Sequence, residues 1–201
     1  MKIKICGLKT LDDIAVANKL LPDYVGFVFA LKKREVTEEQ AAKLRQALDK
    51  RISAVGVFLN DSNERIVRLL NNGTIDIAQL HGQETEEDIR YIRKQTGKPV
   101  IKAVVVRTPE DVLAFANSQA DYLLLDGGTG SGTGFDLSFL KFVQRPFFLA
   151  GGLTPEKISA IPNLDYLYAF DISSGVEYPG EYRKNPQLME QAVLAARNRK
   201  D

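Results

Sequence analysis

Residues 146–155 read Pro-Phe-Phe-Leu-Ala-Gly-Gly-Leu-Thr-Pro, and they contain the unit from which the whole chain is built. The segment 146–150 is a short apolar run, the length of a buried strand. Gly151-Gly152 ends it. Thr154-Pro155 then opens a helix, with a threonine at the cap and a proline at the first helical position, where a missing N–H costs nothing. Strand, glycine turn and capped helix follow one another within ten residues.

Outward from this unit, the same order recurs. Candidate strands lie at 2–6, 24–29, 53–59, 75–80, 99–106, 121–126 and 166–172. With 146–150 they number eight, spaced for βα units. A polar-apolar segment that reads as a helix follows each strand. Thr37-Glu38-Glu39-Gln40 is a capping box, and Thr108-Pro109 and Asn185-Pro186 repeat the cap-proline start. The weakest helical signal is near 137–143, where phenylalanines and Pro146 crowd the segment. Strict alternation demands a parallel sheet with helical crossovers. Eight units close into an α/β (βα)8 TIM barrel. An open doubly wound sheet would need G-x-G-x-x-G after its first strand, and Cys6-Gly7-Leu8-Lys9-Thr10 lacks it. One barrel domain over 1–201 is therefore expected.

Composition agrees. The 201 residues are 44% hydrophobic and 26% charged, an ordinary globular balance with enough chain for a real core. Lys+Arg is 27 against Asp+Glu 26, a net charge of +1, so no basic excess points to nucleic acid or a membrane surface. One cysteine, Cys6, excludes an intrachain disulfide, and one histidine, His81, excludes a histidine metal cluster. No apolar run approaches a membrane span, and the alternating start 1–6 is not a signal-peptide core. The expected address is the cytoplasm, with no metal, no organic cofactor and a monomer or homodimer as the assembly.

In such a barrel, chemistry sits where strands end. Cys6 ends the first strand and shares a face with Lys2 and Lys4, opposite Ile3 and Ile5. With the isoleucines toward the helices, Cys6 is aimed into the mouth. Asp126 ends the sixth strand. Three strands apart around the ring, the two approach from nearly opposite sides and suit a base and an acid flanking a small substrate. The competing assignments are a small buried hydrophobe and a loop cap. Gly151-Gly152 and Ser173-Ser174-Gly175 follow the seventh and eighth strands, where glycine loops and helix starts hold phosphate. His81 is more simply a satisfied structural group. The Lys32-Lys33-Arg34 run is a solvated face or a partner for a ligand carboxylate. Lys102 reads as a barrel-interior residue with a paired charge.

These residues resemble the phosphoribosylanthranilate isomerase family of tryptophan biosynthesis. The resemblance rests on Lys4-Ile5-Cys6-Gly7, Gln79-Leu80-His81-Gly82, Leu124-Leu125-Asp126, Gly130 through Asp136, 150–155 and Asp171 through Glu177, in order along the whole chain. It implies an Amadori rearrangement of N-(5-phosphoribosyl)anthranilate, a phosphorylated small molecule. It implies that Cys6 removes the C2 proton and that Asp126, carrying a proton, protonates the ring oxygen. Arg34 would hold the anthranilate carboxylate and Asp171 would face the sugar, with His81 also at the substrate. Gly151, Gly152, Ser173, Ser174 and Gly175 would hold the phosphate. The chain departs from the family pattern in two places: the loop Ala30-Leu31-Lys32-Lys33-Arg34-Glu35 lacks the usual proline-lysine-serine before the arginine and the aromatic after it, and Lys157 stands where asparagine is usual. Glu35 follows Arg34 and would bring negative charge to the carboxylate pocket, and Lys157 adds positive charge toward the phosphate. A free thiol is mostly protonated at neutral pH, so the site must favour the thiolate, and the sequence does not show how.

The alternatives are a bifunctional isomerase that also serves histidine synthesis, indole-glycerol-phosphate synthase, and a phosphosugar-binding barrel without catalysis. Cys6 argues against the first, whose members carry aspartate there. The second needs a lysine acid and an added N-terminal segment. An activity assay separates the third.

Overall fold

The computed structural model describes residues 1–30, 33–128 and 136–199. Its strands are β1 (Lys2–Cys6), β2 (Tyr24–Val28), β3 (Ser53–Phe58), β4 (Ile77–Leu80), β5 (Val100–Val105), β6 (Tyr122–Asp126), β7 (Phe147–Ala150) and β8 (Leu167–Ile172). They close in sequence order into one parallel barrel, β8 pairing with β1 through Lys4↔Asp171 and Ile5↔Ile172. All eight expected strands are present, most shortened by a residue or two at an end. Lys32 of the basic run and 129–134 of the glycine-rich stretch lie outside the described residues.

The helices are α1 (Leu11–Leu20), α2 (Glu38–Ala47), α3 (Asn63–Asn71), α4 (Glu86–Thr96), α5 (Pro109–Leu113), α6 (Pro155–Ala160) and α7 (Pro186–Arg197). The Thr37 capping box forms as read: Thr37 Oγ1 accepts the Gln40 N–H and Gln40 Oε1 accepts the Thr37 N–H. Asn185 caps α7 by accepting the Gln187 and Leu188 N–H groups. The segment after β6 is a 3-10 helix, Leu137–Phe142, rather than an α-helix. Asp136 caps its start, and only four residues separate its end from β7, which leaves no room for more turns.

The sequence's alternation sorts side chains into two layers. Ile3, Ile5, Phe27, Phe58, Phe147 and Phe170 are fully buried between barrel and helices. Val55, Ile101, Ala103, Leu124 and Phe148 fill the barrel itself. Because Ile101 and Ala103 point inward, Lys102 points the other way, which corrects its expected place inside the barrel. Its paired charge is as read: Nζ lies 2.9 Å from Glu84 Oε2 and 2.8 Å from the Gly82 carbonyl, beneath the β4 loop. At the N-terminal ends of the strands, Tyr24, Tyr122 and Tyr168 close the floor around Phe148. No helix among the described residues is long and apolar enough to cross a membrane.

Candidate active site

The opposite end is open. A cavity of about 660 Å³ lies among the C-terminal strand ends, a size suited to a small ligand. Cys6, Arg34, His81, Asp126, Asp171 and the Gly151, Gly152, Ser173 and Ser174 loops all line it. Gly175 sits one step behind. A Cβ there would lie 1.8 Å from the Leu153 carbonyl oxygen, so only glycine lets the loops after β7 and β8 abut. Gly151 has φ +103°, and a Cβ on it would meet the Gly127 nitrogen at 2.6 Å. Lys157 reaches back from α6 to donate to the Gly152 carbonyl at 2.9 Å, which places its charge beside this loop.

β1 sets the thiol. Ile3 and Ile5 face the helices, so Lys4 and Cys6 face inward, as their alternation predicts. The sulfur packs with Val28 and Val57, in space that a Cβ on Gly26 would fill at 2.6 Å. Burial, joined by the Asp171 charge, pushes the Cys6 thiol up, while Lys4 and Lys184 pull against that; the net shift is upward. The free protein therefore holds Cys6 as the thiol at neutral pH. Lys4 is completely buried, with Nζ 3.0 Å from both carboxylate oxygens of Asp171. Burial alone would lower the Lys4 pKa, but Asp171 and Cys6 more than offset it and raise it.

Across the mouth, Asp126 ends β6 with Oδ1 accepting the Gly128 N–H at 2.9 Å. Its Oδ2 lies 3.8 Å from His81 Nε2, beyond hydrogen-bond reach. His81 Nδ1 is 3.3 Å from Gln79 Nε2. With Gln79 as donor, the hydrogen-bond network assigns the His81 proton to Nε2, facing Asp126. Burial lowers the His81 pKa against the opposing pull of Asp126, so the ring is neutral near pH 7. Gln79 Oε1 is buried with no partner among the described residues, an acceptor left free at the cavity wall.

Arg34 is not a free guanidinium. Its Nε and Nη2 donate to Oε1 and Oε2 of Glu177, each at 2.7 Å, in a bidentate pair. Lys184 Nζ is bonded to the same Glu177 Oε1 at 2.8 Å and to the Ser173 carbonyl at 2.9 Å. Arg34 and Lys184, helped by hydrogen bonding, hold the Glu177 carboxyl below its usual range although burial pushes it up. Tyr182 lies over Arg34, its ring centre 5.0 Å from the guanidinium carbon. Glu35 corrects an expectation: it is exposed and does not line the cavity. A bridge between Val28 and Glu35 extends the backbone there, so neighbours 34 and 35 turn to opposite sides. Sequence reasoning left Lys4, Glu177 and Lys184 without roles. The inward face of β1 already marked Lys4, and Glu177 stood at the end of a quoted motif. Lys184 had no signal of its own.

Fold and cavity define a class, an enzyme on a single (βα)8 barrel that works on a small molecule at the C-terminal mouth. The family described as PRAI, N-(5'phosphoribosyl)anthranilate (PRA) isomerase, matches residues 3–194, and the chain belongs to it. It is 39% identical over 214 residues to the N-(5'-phosphoribosyl)anthranilate isomerase of Lachnoclostridium phytofermentans, covering 98% of this chain and 97% of that one. It is 44% identical over 184 residues to the isomerase of Endomicrobium trichonymphae, covering 89% and 90%. The phosphoribosyl anthranilate isomerase structure from Thermotoga maritima superposes with a TM-score of 0.87 at 31% identity, covering 99% of this chain and 100% of that one. A structure of such an isomerase in complex with reduced 1-(o-carboxyphenylamino)-1-deoxyribulose 5-phosphate gives 0.85 at 30% identity, again with 99% and 100% covered.

Proposed function

We propose that this chain carries out the isomerase reaction of its family with Cys6 as base and Asp126 as acid. The substrate is N-(5'-phosphoribosyl)anthranilate and the reaction is an Amadori rearrangement in tryptophan biosynthesis. Asp126 gives its proton to the furanose ring oxygen, and the C1–O bond breaks to leave an iminium at C1. Cys6, as thiolate, takes the C2 proton, and the electron pair moves to form the C1–C2 double bond of an enolamine. Protonation at C1 with loss of the C2 hydroxyl proton then gives the ketone. The product is an isomer of the substrate, so no electron acceptor is required.

The observation that carries this reading is the placement of Cys6 and Asp126 at the ends of β1 and β6, lining one cavity. Positioned acids and bases contribute roughly 10²–10⁴-fold each. The Lys4 ammonium under Cys6 supplies the positive field a thiolate needs, against the burial that opposes it. Arg34 faces the anthranilate carboxylate, and the free Gln79 oxygen suits a sugar hydroxyl. Asp171, His81 and the Gly151-Gly152 and Ser173-Ser174-Gly175 loops complete the contacts to sugar and phosphate. The test is loss of phosphoribosylanthranilate fluorescence with purified protein. Turnover is expected without added metal or nucleotide. Binding of the reduced product analogue without turnover would leave a phosphosugar-binding barrel instead.

A further inference from the structure

The half-buried Arg34 meets a buried anion and a second, buried cation at one side of the cavity, and the proposed reaction uses only Arg34. Glu177 meets Arg34 at 2.7 Å and Lys184 at 2.8 Å. The side chains of Lys184 and Glu177 are 1% and 4% exposed, so water does little to screen them. Arg34 is 20% exposed; it and Glu177 line the cavity, and Lys184 lies behind them.

The charge count is decisive. Arg34 and Glu177 alone form a neutral pair. A neutral pair offers little to an incoming carboxylate, because the negative charge of Glu177 sits against the same guanidinium. Lys184 restores one net positive charge. Local chain geometry keeps it there: Glu177 and Lys184 form an antiparallel bridge, and the Asn185 N–H donates to the Val176 carbonyl at 2.8 Å. Lys184 also donates to the carbonyl of Ser173, whose hydroxyl donates to the Cys6 carbonyl at 3.1 Å. The base of the 177–184 hairpin is thus tied to the strand that carries the thiol.

We propose that Lys184 is a positioning residue that cancels the charge of Glu177, so that Glu177 can orient Arg34 without neutralising the carboxylate pocket. This rests on the isomerase reading above. Lys184 does not touch substrate; it acts through Glu177 and Arg34. One unit charge several ångströms from a ligand carboxylate at an effective dielectric near 20 changes affinity about 10–50-fold.

The test is a charge cycle read by titration with the reduced product analogue and by steady-state kinetics. Lys184→Met keeps the aliphatic stem and removes the charge. It should weaken analogue binding and raise KM about 10–50-fold, with a smaller change in kcat. Adding Glu177→Gln to Lys184→Met returns the cluster to one net positive charge and should recover most of the lost affinity. A merely structural lysine predicts the reverse, because the double variant loses both clamp residues. Glu177→Gln alone keeps an acceptor for Arg34 and should bind the analogue at least as tightly as wild type, which tests the idea even if Lys184→Met fails to fold. An analogue lacking the carboxylate should be indifferent to all three variants. Unchanged affinity in Lys184→Met, or no recovery in the double variant, overturns the proposal. A wild-type chain that neither turns over substrate nor binds the analogue overturns the reaction assignment, and this inference with it.

Discussion

At the floor of the barrel, three tyrosine rings and Phe148 pack edge to face and stacked, and the hydroxyls of Tyr24 and Tyr168 meet at 2.9 Å. Lys2 lies against the face of Tyr168 and donates to its hydroxyl at 2.7 Å. At the mouth, Lys4 and Lys184 are more deeply buried than Lys2, and they meet carboxylates, not phenols. The floor is thus filled by apolar area with its few polar atoms paired. The mouth keeps charge under a cavity wall, leaves a thiol and a histidine lining open space, and buries an amide oxygen without a partner among the described residues. Filling a barrel with rings favours stability. Burying charge beside a void costs desolvation, which is tolerated where a ligand supplies the missing partner. The two ends should therefore separate activity from stability.

The largest separation is expected at the mouth. Cys6→Ser and Asp126→Asn keep shape and should each lower kcat by about 10²–10⁴-fold while the protein stays folded and binds the product analogue. The double variant should be little worse than the poorer single, because one proton relay serves both residues. A Cys6→Ser enzyme that kept most of its kcat would make the cysteine a packing residue and move the base to His81 or Asp171.

The floor should answer in the opposite way. Phe148 is fully buried and touches all three tyrosines. Phe148→Ala should cost about 3–5 kcal/mol in urea unfolding, with kcat per folded molecule retained. A kcat loss at full folding would show that the two ends are coupled.

Two smaller effects sharpen the mouth. Arg34→Ala removes charge-assisted bonds and should raise KM about tenfold or more, with kcat/KM falling further than kcat. The reverse pattern would place Arg34 in the chemistry. The second concerns pH. A base works deprotonated, and burial raises the Cys6 thiol above its ordinary value of 9.0 despite Lys4. Alkylation of Cys6 by iodoacetamide should therefore keep rising past pH 9, by up to about tenfold per unit, while kcat/KM gains less than this because Asp126 must keep the proton it donates. An alkylation limb that levels below pH 8 would mean that Lys4 and Lys184 outweigh burial and hold the thiolate.

The barrel was legible because every strand is a short apolar run between turn signals, and the strand-end rule then picked out Cys6 and Asp126. Where reading faltered, the cause was tertiary. The 137–142 segment carries helical residues, yet the short distance to β7 leaves it as a 3-10 turn. Lys102 looked inward until its neighbours Ile101 and Ala103 took that side. The Arg34–Glu177 pair joins residues 143 apart, and Lys184 reaches it only through the register of a small hairpin. No local pattern encodes either contact.

The smallest expected effect tests whether the hydroxyls of the floor matter beyond their rings. Tyr24 is 8% exposed, and its hydroxyl meets only that of Tyr168 among the described residues. Burial and that contact push the Tyr24 phenol well above its ordinary value, and Tyr122 is pushed up to about 12, first by its bond to Tyr168. Both phenols are neutral at working pH, so each bond is an ordinary one between hydroxyls. Tyr24→Phe keeps the ring against Phe148 and removes one such bond, while Tyr168 retains Lys2 and Tyr122 as partners. The expected loss is about 0.5–1.5 kcal/mol in urea unfolding, with kcat and KM unchanged. A loss as large as that of Phe148→Ala would mean that the hydroxyl network, and not the packed rings, holds the floor closed. A change in KM would mean that the floor communicates with the mouth through the barrel interior, and the division between the two ends would fail.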